Sequence, residues 1–305
     1  MIQKGINVLS LFDGISCGQI ALERARIKVN KYFASEIDSK AIAVTLKNYP
    51  NTELLGNVIT VKAKDLPKID LLIGGSPCQG FSFAGKQLNF NDSRSRLFFE
   101  YVRLLKECNP RYFLLENVKM KKEYEDVISK FMGVPPILIN SALVSAQNRK
   151  RLYWSNIPYV KQPKNKHIYL KNIIEHGLVD RDKSYCIDAN YFKGGNLRSY
   201  FEDHRRQLVF EKPHGYNKGG VSAKTKFGTL RSCTAYNYAI RDKLTWRKLT
   251  VTECERLQTV PNGYTSCVSK RVAYFLLGNC WTVDVVDHIF RGITKYEKLK
   301  RWIIS

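Results

Sequence analysis

The sequence predicts a doubly wound α/β sheet accompanied by a smaller region rich in loops. In the first half of the chain, short apolar runs alternate with amphipathic stretches, which is typical of parallel strands joined by crossover helices. Polar or glycine-rich segments follow several of these runs, and doubly wound sheets bind ligands beyond the carboxyl ends of their strands. Between residues 161 and 246 the alternation stops, so we expect a second structural unit there.

The predicted elements follow in order from the N-terminus. Strands are expected at residues 8–12, 32–35, 70–74 and 111–116. Helices are expected at residues 19–25, after a cap at Asp38, and over about residues 95–108. Helical periodicity returns at residues 250–257, whereas the apolar segment 281–289 fits a strand or a helix equally well.

The region 161–246 has a composition of its own. It contains 17 lysine and arginine residues against eight acidic ones, interspersed with glycine and tyrosine. Short extended stretches are expected at residues 185–187 and 207–210, and no long helix is evident. Basic and aromatic residues mixed in this way suit a nucleic-acid surface, although charged runs are more often simply solvated.

The net charge of +23 indicates a polyanionic partner. Charge alone does not distinguish DNA from RNA. Membrane binding is disfavoured because no basic amphipathic helix with a broad apolar face stands out, and no window approaches transmembrane length. The first apolar run is too short for a signal peptide, so a cytoplasmic location is expected.

The cysteines and histidines favour neither disulfides nor a metal site. Eight cysteines are scattered without a Cys-x-x-Cys pair, and the five histidines are isolated from one another. A reducing compartment and no bound metal are therefore expected.

Cys78 follows the predicted strand 70–74, in the sequence Gly-Gly-Ser-Pro-Cys-Gln-Gly. A lone cysteine is usually a small buried residue, but here a proline fixes the turn and glycines allow close approach of a ligand. An exposed thiol in such a loop is a candidate nucleophile.

Glu116 closes the next strand. Alone it would more often be a cap or an ion-pair partner, yet beside a cysteine it could serve as a proton donor.

Seven motifs in sequence resemble those of DNA cytosine-5 methyltransferases. They are Leu-Phe-Asp-Gly at 11–14, Glu-Ile-Asp at 36–38, Gly-Ser-Pro-Cys-Gln at 75–79, Glu-Asn-Val at 116–118, Gln-Asn-Arg-Lys-Arg at 147–151, Arg-Leu-Gln-Thr-Val-Pro at 256–261 and Leu-Gly-Asn at 277–279. The resemblance covers roughly residues 6–158 and 247–290. Short phrases at 96–100 and 144–146 are similar to the animal de novo branch, and the short recognition region fits a compact bacterial or phage enzyme.

The resemblance implies methyl transfer from S-adenosylmethionine to carbon 5 of a cytosine in a specific duplex DNA sequence, on a Rossmann-like sheet. Cys78 would add to carbon 6, and Glu116 would donate a proton to N3. Arg149 and Arg151 would steady O2 and the loop that carries Cys78, with phosphate binding or surface ion pairing as their alternatives. The target base would have to leave the stack, since carbon 5 is inaccessible within a duplex.

The resemblance also implies cofactor and DNA contacts. Glu36 would accept hydrogen bonds from the ribose hydroxyls, and Ile37 would cover one face of the adenine. The full set of expected cofactor residues is Phe12, Gly14, Ser16, Glu36, Ile37, Asn57, Pro77, Leu97, Asn279 and Trp281. The expected DNA contacts are Gln79, Lys86 and Arg94 near the nucleophile and, by residue type alone, Arg231, Tyr236 and Asn237 in the recognition region.

Three positions depart from the family pattern. Asn57 stands where the family usually has an aspartate that binds the adenine amino group, so weaker cofactor binding is expected. Ser10 occupies a position that is aspartate in many members. Ser16 and Cys17 replace part of the usual glycine pattern and would bring a bulkier side chain near the methionine moiety. None of these removes a group that the reaction requires.

The implied organisation is a catalytic and cofactor-binding domain at residues 1–160, a target-recognition domain at 161–246, and a return to the catalytic domain at 247–305. A monomer on double-stranded DNA is expected, and a cognate restriction endonuclease is a candidate partner. The alternatives are a tRNA cytosine-5 methyltransferase, whose usual Cys-Phe-Thr element is missing from the sequence, and an inactive DNA-binding accessory protein. An NAD-dependent oxidoreductase would leave the Cys78 loop unexplained.

Overall fold

A computed structural model describes residues 5–76, 96–212 and 245–304. Several residues predicted to act in catalysis, cofactor binding or DNA binding lie outside these ranges, namely Pro77, Cys78, Gln79, Lys86, Arg94, Arg231, Tyr236 and Asn237.

The centre of the molecule is a seven-stranded sheet with the order β3-β2-β1-β4-β5-β7-β6. Its strands are β1 (Ile6–Leu11), β2 (Val29–Ser35), β3 (Glu53–Leu54), β4 (Leu71–Gly74), β5 (Tyr112–Val118), β6 (Ile137–Asn140) and β7 (Lys150–Ser155). The pairings along β3-β2-β1-β4-β5 are parallel, and β7 runs antiparallel to both of its neighbours. The strand order reverses beside β1, as it does in doubly wound sheets, so the predicted fold class is confirmed.

Helices cover both faces of the sheet. They are α1 (Cys17–Arg24), α2 (Ser39–Asn48), α3 (Arg96–Cys108), α4 (Lys122–Met132), α5 (Leu197–Phe201), α6 (Val251–Leu257), α7 (Lys270–Asn279) and α8 (Val283–Ile304). The predicted cap at Asp38 is present, because its carboxylate accepts hydrogen bonds from the backbone of Lys40 at 2.8 Å and Ala41 at 3.3 Å. The segment 281–289, ambiguous by periodicity, forms the beginning of α8.

Two apolar layers sandwich the sheet, as the alternation of side chains along each strand requires. On β4, Leu71 and Ile73 join the layer that contains α1, α2 and α8, whereas Leu72 joins the layer that contains α3 and α4. These strands are therefore buried on both faces, which explains why their sequences are continuous apolar runs.

A small antiparallel pair consists of β8 (Leu208–Glu211) and β9 (Thr245–Lys248), and β9 crosses the predicted boundary of the recognition region at residue 246. A local apolar cluster beside this pair includes Tyr200 and Phe210. The described part of the region also shares the main core, since Leu170, Ile187 and Tyr191 belong to the larger apolar layer. The stretch 185–187, expected to be extended, forms no strand; only the neighbouring Ser184 bridges to Gln147.

Within the described ranges, no helix has the length and apolar character needed to span a bilayer.

Candidate active site

A cavity of about 420 Å³ lies at the carboxyl ends of β1, β2, β4 and β5. Further walls come from β7 and from the residues that end α7. Eight residues predicted from the sequence line it: Phe12, Gly14, Glu36, Glu116, Arg149, Arg151, Asn279 and Trp281. Residues expected to bind the cofactor and residues expected to act on the cytosine therefore line the same cavity.

Glu36 is held rigidly at the end of β2 by backbone donors. Its Oε2 accepts a hydrogen bond from the Gly14 amide at 2.8 Å, and its Oε1 accepts from the amides of Ile37 at 2.7 Å and Asp38 at 2.9 Å. A carboxylate has about four acceptor positions, so capacity remains for an incoming hydroxyl. The Ile37 side chain beside it is 73% exposed, which leaves an apolar surface free next to Glu36.

The turn after β1 contains an internal polar cluster that the motifs did not reveal. Oδ1 of Asp13 accepts a hydrogen bond from the Tyr32 hydroxyl at 2.7 Å, and its Oδ2 accepts one from the Ser16 hydroxyl. Burial raises the pKa of Asp13 above its ordinary value of 3.8. Ser16 itself is fully buried with a φ of 56°, and its Oγ also accepts from Thr45 at 3.2 Å.

Of the two residues that replace part of the family's glycine pattern, Cys17 lines the cavity, whereas the buried side chain of Ser16 does not.

Glu116 and Arg151 form an ion pair across β5 and β7. The Arg151 Nε lies 2.9 Å from Oε1 of Glu116, and the two side chains are only 16% and 12% exposed, respectively. The antiparallel register pairs Val118 with Arg151, which places Arg151 diagonally across from Glu116. A carboxyl group and a guanidinium are therefore fixed together in the wall of the cavity.

Arg149 has a different environment. It is 4% exposed, and its Nη1 donates to Sγ of Cys186 at 3.3 Å and to the Ile187 carbonyl at 3.0 Å. Its Nη2 donates to the carbonyls of Gly278 at 3.2 Å and Cys280 at 3.0 Å. All four terminal hydrogens are engaged, so this guanidinium fastens the end of α7 instead of offering a fork of donors to a base.

Asn117 is a site residue that sequence reasoning passed over. It is buried, and its Nδ2 donates to both the carbonyl and the Oγ of Ser76 at 3.3 Å. Ser76 lines the cavity two residues before Cys78. The available signal was a second polar residue directly after Glu116 in a strand that otherwise consists of apolar and aromatic residues.

Four of the predicted cofactor residues in the described ranges do not line the cavity, namely Ser16, Ile37, Asn57 and Leu97. Asn57 caps the short 3-10 helix Val58–Thr60, and its Oδ1 accepts from the Ile59 amide at 3.1 Å. The amide oxygen expected to bind the adenine is therefore already partly used. Leu97 packs against the apolar layer of α3 and α4, as Phe12 does.

The end of α7 makes a close contact with the recognition region. A Cβ added at Gly278 would come within 2.2 Å of the Asp188 carbonyl, so only glycine allows this approach. The neighbouring Asn279 and Trp281, which line the cavity, are thereby held against residues 188–189.

The cavity fits S-adenosylmethionine, the cofactor expected from the sequence. Its volume lies within the range of roughly 300–1,000 Å³ that small-molecule sites occupy. An oriented carboxylate at Glu36 suits the ribose hydroxyls, and the rings of Phe12 and Trp281 suit a sulfonium cation. Within the part of the chain that the structure describes, no cluster of three or more His, Cys, Asp or Glu side chains could hold a metal ion.

Comparison with known proteins gives concordant results. The sequence model of the C-5 cytosine-specific DNA methylase family matches residues 6–157 and 145–295. A Type II methyltransferase of Lactococcus lactis subsp. cremoris is 30% identical over 96% of this chain and 79% of its own length. A Type II methyltransferase of Fusobacterium nucleatum is 28% identical over 98% of each chain.

Solved structures agree at the level of the fold. The Dnmt2 methyltransferase of S. pombe superposes with a TM-score of 0.68 at 19% identity, covering 95% of this chain and 98% of its own. A methyltransferase of Entamoeba histolytica gives a TM-score of 0.69 at 16% identity, covering 96% and 99%, respectively. The chain belongs to the C-5 cytosine-specific DNA methylase family and is a DNA cytosine-5 methyltransferase that uses S-adenosylmethionine.

Proposed function

We propose that this enzyme methylates a flipped-out cytosine in a specific duplex sequence through a transient covalent bond between Cys78 and carbon 6. The observation that carries the proposal is the shared cavity lined by Glu36, by the Glu116–Arg151 pair and by Ser76. Ser76 lines this cavity and stands two residues before Cys78 in the sequence, which supports the proposal that the thiol acts together with Glu116.

The reaction requires a nucleophile and a proton donor that act on the same cytosine ring. Carbon 5 of cytosine is a weak nucleophile until a thiolate adds to carbon 6, which converts carbon 5 into the nucleophilic carbon of an enamine. Negative charge then develops towards N3 and O2. Glu116 would protonate N3, and Arg151, adjacent to Glu116, would donate to O2.

S-adenosylmethionine supplies the electrophilic methyl group when bound. Glu36 would hold the ribose hydroxyls, Ile37 would cover the adenine, and Phe12 and Trp281 would flank the sulfonium. After transfer, loss of the carbon 5 proton to water, departure of the Cys78 thiolate and return of the N3 proton to Glu116 would restore the aromatic ring and the enzyme, with S-adenosylhomocysteine as the second product.

Arg149 and Asn117 would act as positioning residues. Arg149 fastens the end of α7, which carries Asn279 and leads to Trp281. Asn117 holds Ser76 at the start of the segment that leads to Cys78.

The proposal extends to the DNA and to biological context. Gln79, Lys86 and Arg94 would contact the methylated strand, while Arg231, Tyr236 and Asn237 would read the major groove from the recognition region 161–246. The enzyme would act as a monomer in the cytoplasm of a bacterial or phage-infected cell. The first two relatives are named Type II methyltransferases, whereas a relative from Bacillus phage rho11s is named an orphan methyltransferase. Because the first two relatives are named Type II methyltransferases, we favour the existence of a cognate restriction endonuclease as partner.

Methyl transfer from labelled S-adenosylmethionine to duplex DNA and to tRNA tests this function. Cys78→Ser should abolish transfer to DNA while retaining cofactor binding, and Cys267→Ser, at an exposed cysteine, should behave as the parent enzyme. Retention of activity in Cys78→Ser would refute the nucleophile, and methylation of tRNA alone would refute the DNA substrate. Bisulfite sequencing of DNA from cells that express the chain would then give the target sequence.

A further inference from the structure

A second cavity, of about 400 Å³, lies at the edge of the central sheet opposite the candidate active site. Its lining includes Ile6 at the start of β1, Asp70 just before β4 and Tyr112 at the start of β5. The active-site cavity lies beyond the other ends of the same strands. At about 3.3 Å per residue, the five steps along β1 separate the two edges by roughly 17 Å. The second cavity is therefore a distinct feature of the fold.

The second cavity is strongly cationic. Six basic side chains line it, contributed by the end of α1, the start of β5 and the helix α8: Arg24, Arg26, Lys28, Arg111, Arg291 and Lys298. Three of them are neutralised by carboxylates, in the pairs Arg24–Asp284 at 2.6 Å, Arg111–Glu297 at 2.5 Å and Arg291–Asp287 at 3.0 Å. These pairs connect the residues that line the cavity, and within the described ranges they leave the other three cations without an ion-pair partner.

Arg26, Lys28 and Lys298 have no carboxylate within ion-pair distance among the described residues. Asp70 is the remaining acidic group of the lining, and its Oδ2 accepts a hydrogen bond from the Asn7 amide at 2.9 Å. Three free cations around one carboxylate give the cavity a local positive potential, which attracts a compact anion.

The backbone at Arg26 adds an independent observation. Its φ is 57°, in the left-handed region that follows a helix and that glycine normally occupies. The amide of Arg26 donates to the Glu23 carbonyl at 2.9 Å, and that of Ile27 donates to the Leu22 carbonyl at 3.0 Å. A non-glycine residue in this conformation costs on the order of 1 kcal/mol or more. This turn places Arg26 among the residues that line the cavity.

The lining also contains apolar side chains. Ile6, Ala25, Ile27 and Ile293 line the cavity together with Tyr112. The guanidinium of Arg111 lies over the ring of Tyr112, 4.9 Å from its centre. A ligand of this cavity therefore meets both basic and apolar side chains.

We propose that this cavity binds a free nucleotide, with its phosphate groups on Arg26, Lys28 and Lys298 and its base against the apolar lining residues such as Ile6 and Ile27. The free carboxylate oxygen of Asp70 would accept from a ribose hydroxyl. The volume fits a small molecule. A duplex, in contrast, would present its phosphates along an extended surface. This proposal is independent of the mechanism at Cys78.

Isothermal titration calorimetry on the full chain tests the proposal, with ATP, GTP and inorganic phosphate as ligands. Saturating S-adenosylhomocysteine would be present throughout, because the active site itself can take an adenosine. We expect one saturable nucleotide site that is weakened about tenfold or more in Arg26→Gly and in Lys298→Ala. Lys130→Ala, at an exposed lysine of α4, should bind as the parent does.

Arg26→Gly is the decisive variant, because glycine suits the left-handed backbone and should maintain or raise the unfolding temperature. Weaker binding in this variant would then not arise from a damaged fold. Absence of saturable nucleotide binding would overturn the proposal, and so would binding that both variants leave unchanged. Weakened binding of duplex DNA in the variants, without any nucleotide binding by the parent, would also overturn it and would assign the cations to the DNA backbone.

Discussion

The Nε atom of Arg151 lies 2.9 Å from Oε1 of Glu116, so the two groups expected to act on the cytosine ring are paired with each other in the structure. A substitution of either residue therefore also changes the surroundings of the other.

Glu116→Gln should lower the rate constant of methyl transfer by roughly 10²- to 10⁴-fold, the usual contribution of a general acid. Affinity for S-adenosylmethionine should be unchanged, because the amide retains the shape of the side chain. Single-turnover kinetics with labelled cofactor measures both quantities. Glu123→Gln, at an exposed position of α4, is the matched control. An unaffected rate in Glu116→Gln would remove Glu116 from the reaction.

Glu36→Gln should weaken cofactor binding by about tenfold or more, equivalent to at least about 1.4 kcal/mol. The carboxylate accepts three backbone hydrogen bonds, and an amide would turn a donor towards one of those N–H groups. Calorimetric titration with S-adenosylmethionine measures the change, with Glu53→Gln at the exposed edge strand as control. Equal affinities would mean that Glu36 organises the turn without holding the cofactor.

Arg149→Lys should reduce the free energy of unfolding by about 1–3 kcal/mol, because an ammonium group cannot reach all four acceptors of the guanidinium. The displaced end of α7 should raise KM for S-adenosylmethionine more than it lowers kcat. Urea unfolding and steady-state kinetics check the two effects. A fall in kcat at constant KM would show instead that Arg149 contacts the base.

Glu253→Gln should destabilise the fold by about 1–3 kcal/mol near neutral pH, because Arg247 loses its two charge-assisted hydrogen bonds to Glu253 and keeps the ion pair with Glu211 at 3.2 Å. Although burial of Glu253 opposes ionisation, Arg247 and backbone amides lower its pKa below the ordinary value of 4.5. The contribution of ionised Glu253 to the free energy of unfolding is therefore complete above pH 4.5, and it is lost as the pH falls through the lowered pKa of Glu253.

Urea unfolding across pH should accordingly show the difference between parent and Glu253→Gln shrinking in acid. Glu202→Gln, which breaks the exposed pair with Arg198, should cost less than about 1 kcal/mol. A difference that is constant with pH would contradict an ionised Glu253.

Features set by nearby residues were predictable from the sequence. The cap at Asp38 needs only the amides two and three residues ahead of it. The four strands that carry cofactor or catalytic residues were visible as apolar runs because they are buried on both faces. Glu36 could be placed because it directly follows the mainly apolar run 32–35 of β2. Glu116 could be placed because it directly follows the apolar residues 112–115 of β5.

Features set by distant residues were not predictable. β7 begins with Lys150 and Arg151, and these charged residues conceal a strand that is buried only in its second half. The partners of Arg149 on α7 lie 129 and 131 positions away, so no local pattern could reveal that its donors are already in use. The helical state of residues 283–289 likewise depends on packing against α1.

The most direct test of the account is covalent trapping on a duplex that carries 5-fluorocytosine at the target position. Fluorine at carbon 5 cannot leave as a proton does, so the adduct that forms after methyl transfer should persist. With S-adenosylmethionine present, we predict a stable protein–DNA complex, with the cross-linked peptide containing Cys78. Absence of the complex, or attachment at any other residue, would contradict the proposed reaction.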